Sequence, residues 1–566
     1  MKRKAIIELE KWKNSKYRKP LIIRGARQVG KTWIMQEFGR LNYQKVAYLN
    51  FEQSEVLKNT FIPDFDIQRI ISVLQIETGV QIEAKNTLII LDEIQSVPRG
   101  ITALKYFHEN APKYHIVTAG SLLGVTLHPN TSFPVGKVDF LDLYPLSFLE
   151  YLENSNQSAL AQILIKKDIV LINTFHNKLV NQLRLYYYLG GMPEVISNYL
   201  ENGNLDTVRE IQNRILSGYE QDFSKHAPNE IVPRIRLVWN SILNQLSKEN
   251  KKFIYSFLRQ GTRAKDFELA INWLVDAGLV YKVQRVKTPK YPLAAYSDFD
   301  VFKLFILDVG LLGAMRDLSP KTLLDKNKIL TEFKGALTEQ FVKQELNVNI
   351  KNKTYYWSAE NGTSEIDFVI QLEDQIVPIE VKAEENLQAK SLKVFVEKFK
   401  TQTSIRTSMS PYRDDNWLKN IPLYAINLIE ITENNTFSNQ VIENCSNQEE
   451  QKVTKKEYEV TNIDIELRTF NDPGNFLEYA NSSKIKQLTK EQIQILQFTE
   501  KEPKSRKEIL ESSLKISNQT KNFKSHLEPL IKSGYIEYTI KDKPKSQFQK
   551  YEITALGKFK LEKSIA

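Results

Sequence analysis

A chain of 566 residues, 42% hydrophobic and 26% charged, is long enough for three or four domains, each with a core of its own. Its net charge of +10 is compatible with a polyanion partner, and its single cysteine, Cys445, excludes an intramolecular disulfide and fits a reducing compartment. The basic start MKRKAIIELEKWK is not followed by a signal-peptide core, and no run approaches the roughly 18 apolar residues of a membrane span, so the expectation is a cytoplasmic protein with no membrane partner.

Residues 1–150 alternate apolar runs with helix-like segments, the rhythm of a parallel α/β sheet. Pro20–Arg24 reads as a buried strand that runs into Gly25-Ala26-Arg27-Gln28-Val29-Gly30-Lys31-Thr32, and Thr32–Phe38 has helical apolar spacing. The eight residues satisfy the phosphate-loop pattern at every fixed position. Its glycines let backbone N–H groups converge on phosphate, Lys31 reaches the β/γ-phosphates, and the Thr32 hydroxyl can ligate Mg²⁺. Thr87–Leu91 is a continuous apolar run that ends in Asp92-Glu93, as a buried parallel strand would. Asp92 is expected at the Mg²⁺ water shell and Glu93 at the attacking water. Further strands are expected at Lys45–Phe51 and Tyr114–Thr118, with Thr118 or Ser121 as a polar contact near the γ-phosphate. Gly136-Lys137 precedes a strand-like run that reaches Phe148.

Residues 151–234 read as helical, with a helix-breaking turn at Gly190-Gly191, and residues 235–300 as helix–helix–hairpin, the outline of a winged-helix lid. Residues 301–430 hold a second constellation. Glu339 lies on a helix, Asp367 on the strand Ser364–Ile370, and Glu380 and Lys382 on the strand Ile376–Lys382. Alternation puts Glu380 and Lys382 on one face, with Val381 turned to the core. If Asp367 shares that face, Asp367 and Glu380 could hold Mg²⁺ for phosphodiester cleavage, with Lys382 and Glu339 as further catalytic groups; a cross-strand ion pair on a solvated face is the alternative.

Residues 431–483 form an acidic linker: Ile431–Ser483 carries 4 Lys+Arg against 10 Asp+Glu, a net of −6. Residues 484–566 form a basic module, 18 against 10 from Lys484 to Ala566, a net of +8. Its helices are expected at Thr489–Phe498, at Ser505–Ser512 behind a Ser505/Glu508 capping box, and at Asn518–Lys532 with Pro529 inside. A strand pair with the Lys-rich tip Lys541–Lys545 completes a winged helix. Lys521, Lys524, Lys532 and the tip would meet DNA phosphates.

Taken together, GARQVGKT, LIILDEIQ, TAGSLLGV, YPLSFLEYL, YYLGGMPEV, FKLFILDVGLL and the EIDFVI…PIEVK pair resemble a family of predicted bacterial and archaeal AAA-superfamily ATPases. In that family the C-terminal half is a domain of unknown function related to PD-(D/E)XK nucleases. The resemblance spans residues 1 to about 425, and the last module is separately similar to winged-helix tails of bacterial regulator-like proteins. It implies an α/β protein composed of an AAA-type parallel-sheet ATPase domain, a helical and winged-helix lid, a PD-(D/E)XK-like domain and a C-terminal winged helix. It also implies ATP at Gly25–Thr32, Mg²⁺ and water at Asp92 and Glu93, a polar contact near Ser121, and Glu339, Asp367, Glu380 and Lys382 as the nuclease-like set. Where many members read Gly-Arg, this chain has Gly136-Lys137, a point charge in place of a bidentate fork. The function expected is a Mg²⁺-dependent ATPase coupled to DNA. A nucleotide-gated DNA-binding switch with an inert nuclease fold is the alternative, and a protein-docking adaptor a third. Self-association stays open.

Overall fold

The computed structural model describes residues 1–120, 133–247, 252–261, 263–319, 331–350, 352–359, 364–383, 389–429, 488–500, 502–532, 535–539, 550–554 and 561. Two compact units, Met1–Ser438 and Asn439–Ala566, divide the chain. Ser121, the acidic linker and the lysines of the 541–545 tip lie outside the described residues.

The first unit begins with a five-stranded parallel sheet in the order β2-β3-β4-β1-β5. Its strands are β1 (Leu21–Arg24), β2 (Lys45–Asn50), β3 (Thr87–Asp92), β4 (His115–Ala119) and β5 (Asp139–Asp142). β3 is buried at every position, because a central parallel strand has both faces covered; this is why it reads as TLIILD with no alternation. The loop and Asp92 therefore emerge together at the carboxyl ends of β1 and β3, with β4 between them. The strand-like run after Lys137 is shorter than expected. β5 stops at Asp142, and Ser147 starts the helix Phe148–Asn154 through a capping box with Glu150, a signal that the apolar spelling of YPLSF hides.

Helices occupy most of the stretch from Phe148 to Leu246. The helix His176–Leu189 runs through the tyrosine triplet and ends at Gly190, whose φ of +70° only glycine adopts without strain. A Cβ there would lie 2.1 Å from the Asp308 carboxylate.

An eight-stranded mixed sheet follows, in the order β12-β13-β11-β10-β9-β8-β6-β7. Its members are β6 (Val280–Val286), β7 (Ser297–Ile306), β8 (Tyr355–Ser358), β9 (Glu365–Leu372), β10 (Gln375–Val381), β11 (Ile405–Ser408), β12 (Arg413–Asp414) and β13 (Lys419–Pro422). The expected hairpin β6–β7 forms, but it is continuous with the strands that carry the acidic residues, since β6 pairs with β8. Residue 300 thus falls inside β7. The helix Thr331–Asn349 packs on this sheet, and one core cluster runs from the ATPase strands to Ile379.

The second unit has the helix Lys490–Thr499, a turn of helix over Glu508–Ser513, and helical segments from Thr520 to Lys532. Its sheet has three antiparallel strands in the order β14-β16-β15, namely β14 (Lys504–Ser505), β15 (Ile536–Tyr538) and β16 (Lys550–Ile553). Ser505 and Glu508 form the expected reciprocal cap, at 2.8 and 3.3 Å. Pro529 lacks an N–H to donate to the previous turn, and the backbone widens to a π-type turn over Phe523–Leu527 just ahead of it.

Candidate functional site

The phosphate loop is shaped by its neighbours as well as by its glycines. Gly25 has φ +150°, and a Cβ there would sit 2.2 Å from the Leu143 carbonyl oxygen. Gln28 takes the left-handed region at +65°, and Gly30 at +92° starts the helix Lys31–Asn42, so the loop's N–H groups gather at a helix N-terminus. Lys31 is 7% exposed, and its Nζ donates to the carbonyls of Gly25 at 2.9 Å and Ala26 at 2.7 Å. Burial pushes its pKa down to about 8, against the opposing pull of Glu93 and Asp92.

Thr32 Oγ1 donates to Asp92 Oδ2 at 2.7 Å, so the two expected Mg²⁺ groups meet. Tyr48 on β2 donates to the same oxygen at 3.0 Å, and burial lifts the tyrosine to about 12, so it stays a neutral donor. Glu93 follows in a left-handed conformation, φ +51°, uncommon for a residue with a Cβ, and Gln95 Nε2 donates to its carboxylate. Thr118 is buried and donates to the Leu91 carbonyl at 2.6 Å, which ties β4 to β3. A hydroxyl with an acidic neighbour suits Mg²⁺, which keeps waters and takes one or two protein oxygens plus phosphates. Thr32 and Asp92 fit such an ion.

Several residues at this site escaped the sequence reading. Arg3 is buried and bonds the Val29 carbonyl at 3.1 Å, the Tyr144 carbonyl at 2.6 Å and Glu150 at 3.1 Å, bracing the loop from behind. Arg27 pairs with Asp222, and Tyr219 donates to the Arg27 carbonyl at 3.0 Å; both partners lie on the helix Leu205–His226. Two cavities flank the loop. One of about 500 Å³ is lined by Met1, Arg3, Gly30, Trp33, Pro193, Glu194, Ser197, Asn198 and Glu201. The other, about 300 Å³, lies between Gly25, Ala26 and Val29 on one side and Asp276, Gly278 and Tyr281 on the other. Lys137 pairs with Glu109 at 3.0 Å.

The second constellation is brought together, with additions. The register Phe368↔Ile379 continues to place Asp367 opposite Glu380, and directly opposed residues share a face. That face is solvated only in part: Glu380 is 4% exposed and Glu339 3%, Asp367, Glu365 and Lys382 are half-buried, and Val381, expected in the core, is half-buried too. Lys382 Nζ lies 2.8 Å from Glu380 Oε1, and Asp367 Oδ2 accepts the Val381 N–H at 2.8 Å. Lys303 on β7 is fully buried, in contact with Glu365, 3.7 Å from Glu339, and over the ring of Tyr356 at 4.9 Å. Burial opposes its charge, but Glu339, Glu365 and Asp367 outweigh this and raise its pKa. Lys303 falls within the motif FKLFILDVGLL, but no role was assigned to it, since it lies in an apolar run on a strand far from the acids in the chain.

The helix that carries Glu339 also reaches the ATPase domain. Glu345 accepts the Phe148 N–H at 2.8 Å, and Gln344 accepts the Val309 N–H at 2.9 Å and donates to Tyr186 at 2.9 Å. Asp308 accepts the Gly191 N–H at 2.6 Å, in line with the Gly190-Gly191 turn. Burial lifts Glu345 to about 8 and Asp308 to about 6.

Residues 17–152 match a family model described as an AAA domain. Together with the loop and β3, this defines the first domain as an AAA-type P-loop ATPase domain that binds ATP. Residues 180–322 and 334–426 match two domains of unknown function, DUF8612 and DUF4143, and residues 491–554 match the C-terminal domain of Fic-like (filamentation induced by cAMP) proteins. The Walker-type ATPase PABY2304 of Pyrococcus abyssi is 15% identical over 55% of this chain and 94% of its own, with a TM-score of 0.34. The Aeropyrum pernix ORC1 protein, solved in complex with DNA, is 15% identical over 56% of this chain and 90% of its own, with a TM-score of 0.23. At those scores neither likeness bears on function. Comparison with curated proteins gives no match. Among the described residues, no helix is long and apolar enough to cross a membrane.

Proposed function

We propose that this chain is a Mg²⁺-dependent ATPase that works on or with DNA. The observation that supports this best is the convergence of Lys31, Thr32, Asp92 and Glu93 at the carboxyl ends of the parallel strands. In this reading the loop N–H groups and Lys31 hold the β/γ-phosphates, and Thr32 and Asp92 hold Mg²⁺, which offsets phosphate charge. Glu93, oriented by Gln95, accepts the proton of the attacking water. The base enters the larger cavity, against Trp33 and Pro193. Asn198 lines that cavity, and its Oδ1 is buried without a hydrogen-bond partner among the described residues; such an acceptor suits the exocyclic amino group of adenine. Steady-state hydrolysis by wild type and Glu93→Gln tests the reading. If wild type turns over no faster than the variant while both bind ATP equally, it fails.

DNA enters through the last module, read as a winged helix. Three helical stretches accompany its small sheet, with β14 between the first and second, Lys521 is exposed, and the stretch carries a +8 excess (18 Lys+Arg against 10 Asp+Glu). DNA affinity should fall with salt at a log–log slope of roughly −0.9 per phosphate neutralised, and a chain ending at Ser438 should lose that slope. Residues 334–426, read as a PD-(D/E)XK-like domain, divide two readings. The pairing of Asp367 opposite Glu380, with Lys382 beside Glu380 and Glu339 buried, supports cleavage, whereas the burial of Lys303 among the acids favours an inert nuclease fold that reports the nucleotide state.

A further inference from the structure

Most carboxylates of the second constellation have a charged or backbone partner from the protein. Glu365 and Glu339 flank Lys303, Asp367 takes the Val381 N–H, and Glu380 faces Lys382 through Oε1, while its buried Oε2 has no hydrogen-bond partner among the described residues. A divalent ion held by Asp367 and Glu380 would need both to turn lone pairs to one point, with waters or further oxygens completing the shell. Here Asp367 spends one oxygen on backbone. The nearby ammonium of Lys303 supplies positive charge from within, with no exposed surface through which it could swing away.

Burying several carboxylates together is costly unless a cation accompanies them, and a lysine fixed on a strand serves that need as a metal would. Lys303 is built for the role. Its Nζ lies over the face of Tyr356 and between a helix acid and a strand acid, joining β7, β9 and the helix Thr331–Asn349. We propose that Lys303 is itself the cation of this cluster, and that the acidic site of this domain is assembled without a divalent metal. The proposal rests on the nuclease-like reading of residues 334–426 and is independent of the ATPase reading. The cluster then serves as a fixed ionic joint between the strands next to the ATPase domain and the helix that receives the Phe148 N–H through Glu345.

The test uses the full chain, without nucleotide, in an Asp92→Asn background that silences the ATP site. Free Mn²⁺ is titrated and followed by its electron paramagnetic resonance signal. The expected result is no Mn²⁺ binding that depends on Asp367. Lys303→Met in the same background should melt at a lower temperature, gain a Mn²⁺ site that Asp367→Asn removes, and recover stability as Mn²⁺ is added. Mn²⁺ binding by the parent that Asp367→Asn abolishes would overturn the proposal, as would a folded Lys303→Met chain that gains no Mn²⁺. If Lys303→Met does not fold, the comparison of parent with Asp367→Asn decides alone. ATP hydrolysis by Lys303→Met with Asp92 restored reports separately on the ATPase reading.

Discussion

Two buried lysines, Lys31 and Lys303, show how the same side chain is made available in one place and committed in another. Lys31 donates to two neutral carbonyls, and burial has pushed its pKa down to about 8. Its charge is poorly compensated, which prepares it for a phosphate. Lys303 lies deeper still, yet its pKa is raised, because Glu339, Glu365 and Asp367 surround it. Burial depth does not separate a binding lysine from a structural one; the charge of its immediate partners does.

The largest effect expected from breaking this contrast lies on the Lys31 side. Glu93→Gln should retain ATP and lower its hydrolysis by roughly 10²–10⁴-fold, the usual contribution of a positioned base. Lys31→Met should lose nucleotide binding in a calorimetric titration. On the other side, Lys303→Met should leave ATP binding in place but cost about 3–5 kcal/mol in chemical unfolding, since buried acids would lose their cation. Equal loss of ATP affinity in both variants would erase the distinction.

A smaller effect sharpens the contrast by pH. Because Lys31 titrates near 8, ATP affinity should weaken as pH rises from 7 to 9, and Lys31→Arg should flatten that slope. The smallest concerns Glu345. Its folded pKa is raised to about 8, above the ordinary glutamate value, so its protonated form contributes stability that is complete below about 4.5 and lost as pH rises through 8. The melting temperature should fall across that window in wild type, and Glu345→Gln should reduce the fall.

Much of this was legible in the chain. The loop, β3 with Asp92-Glu93, and the Ser505/Glu508 cap are written within a few consecutive residues, because glycine torsions, a doubly covered strand and a helix cap are local properties. The shared face of Asp367 and Glu380 also followed from alternation once the strands paired. The partial burial of that face did not, since alternation names a side without saying what covers it.

Other features were decided by tertiary structure alone. Arg3 meets Glu150 from 147 residues away, Arg27 meets an aspartate 195 residues on, and Lys303 meets Glu365 across 62. The chain by itself determined the strands that frame the phosphate cradle and those that carry Asp367 and Glu380, which turn is that cradle and which residues carry charge; the short strands β8, β11, β12, β13 and β14 appear only in the fold. Only the sheet order, with β8 and β6 bridging β9 to β7, decided which buried charges neutralise each other. The reason is physical: backbone conformation is set by neighbours in sequence, while the cost of a buried charge is met by whichever opposite charge the packing brings near.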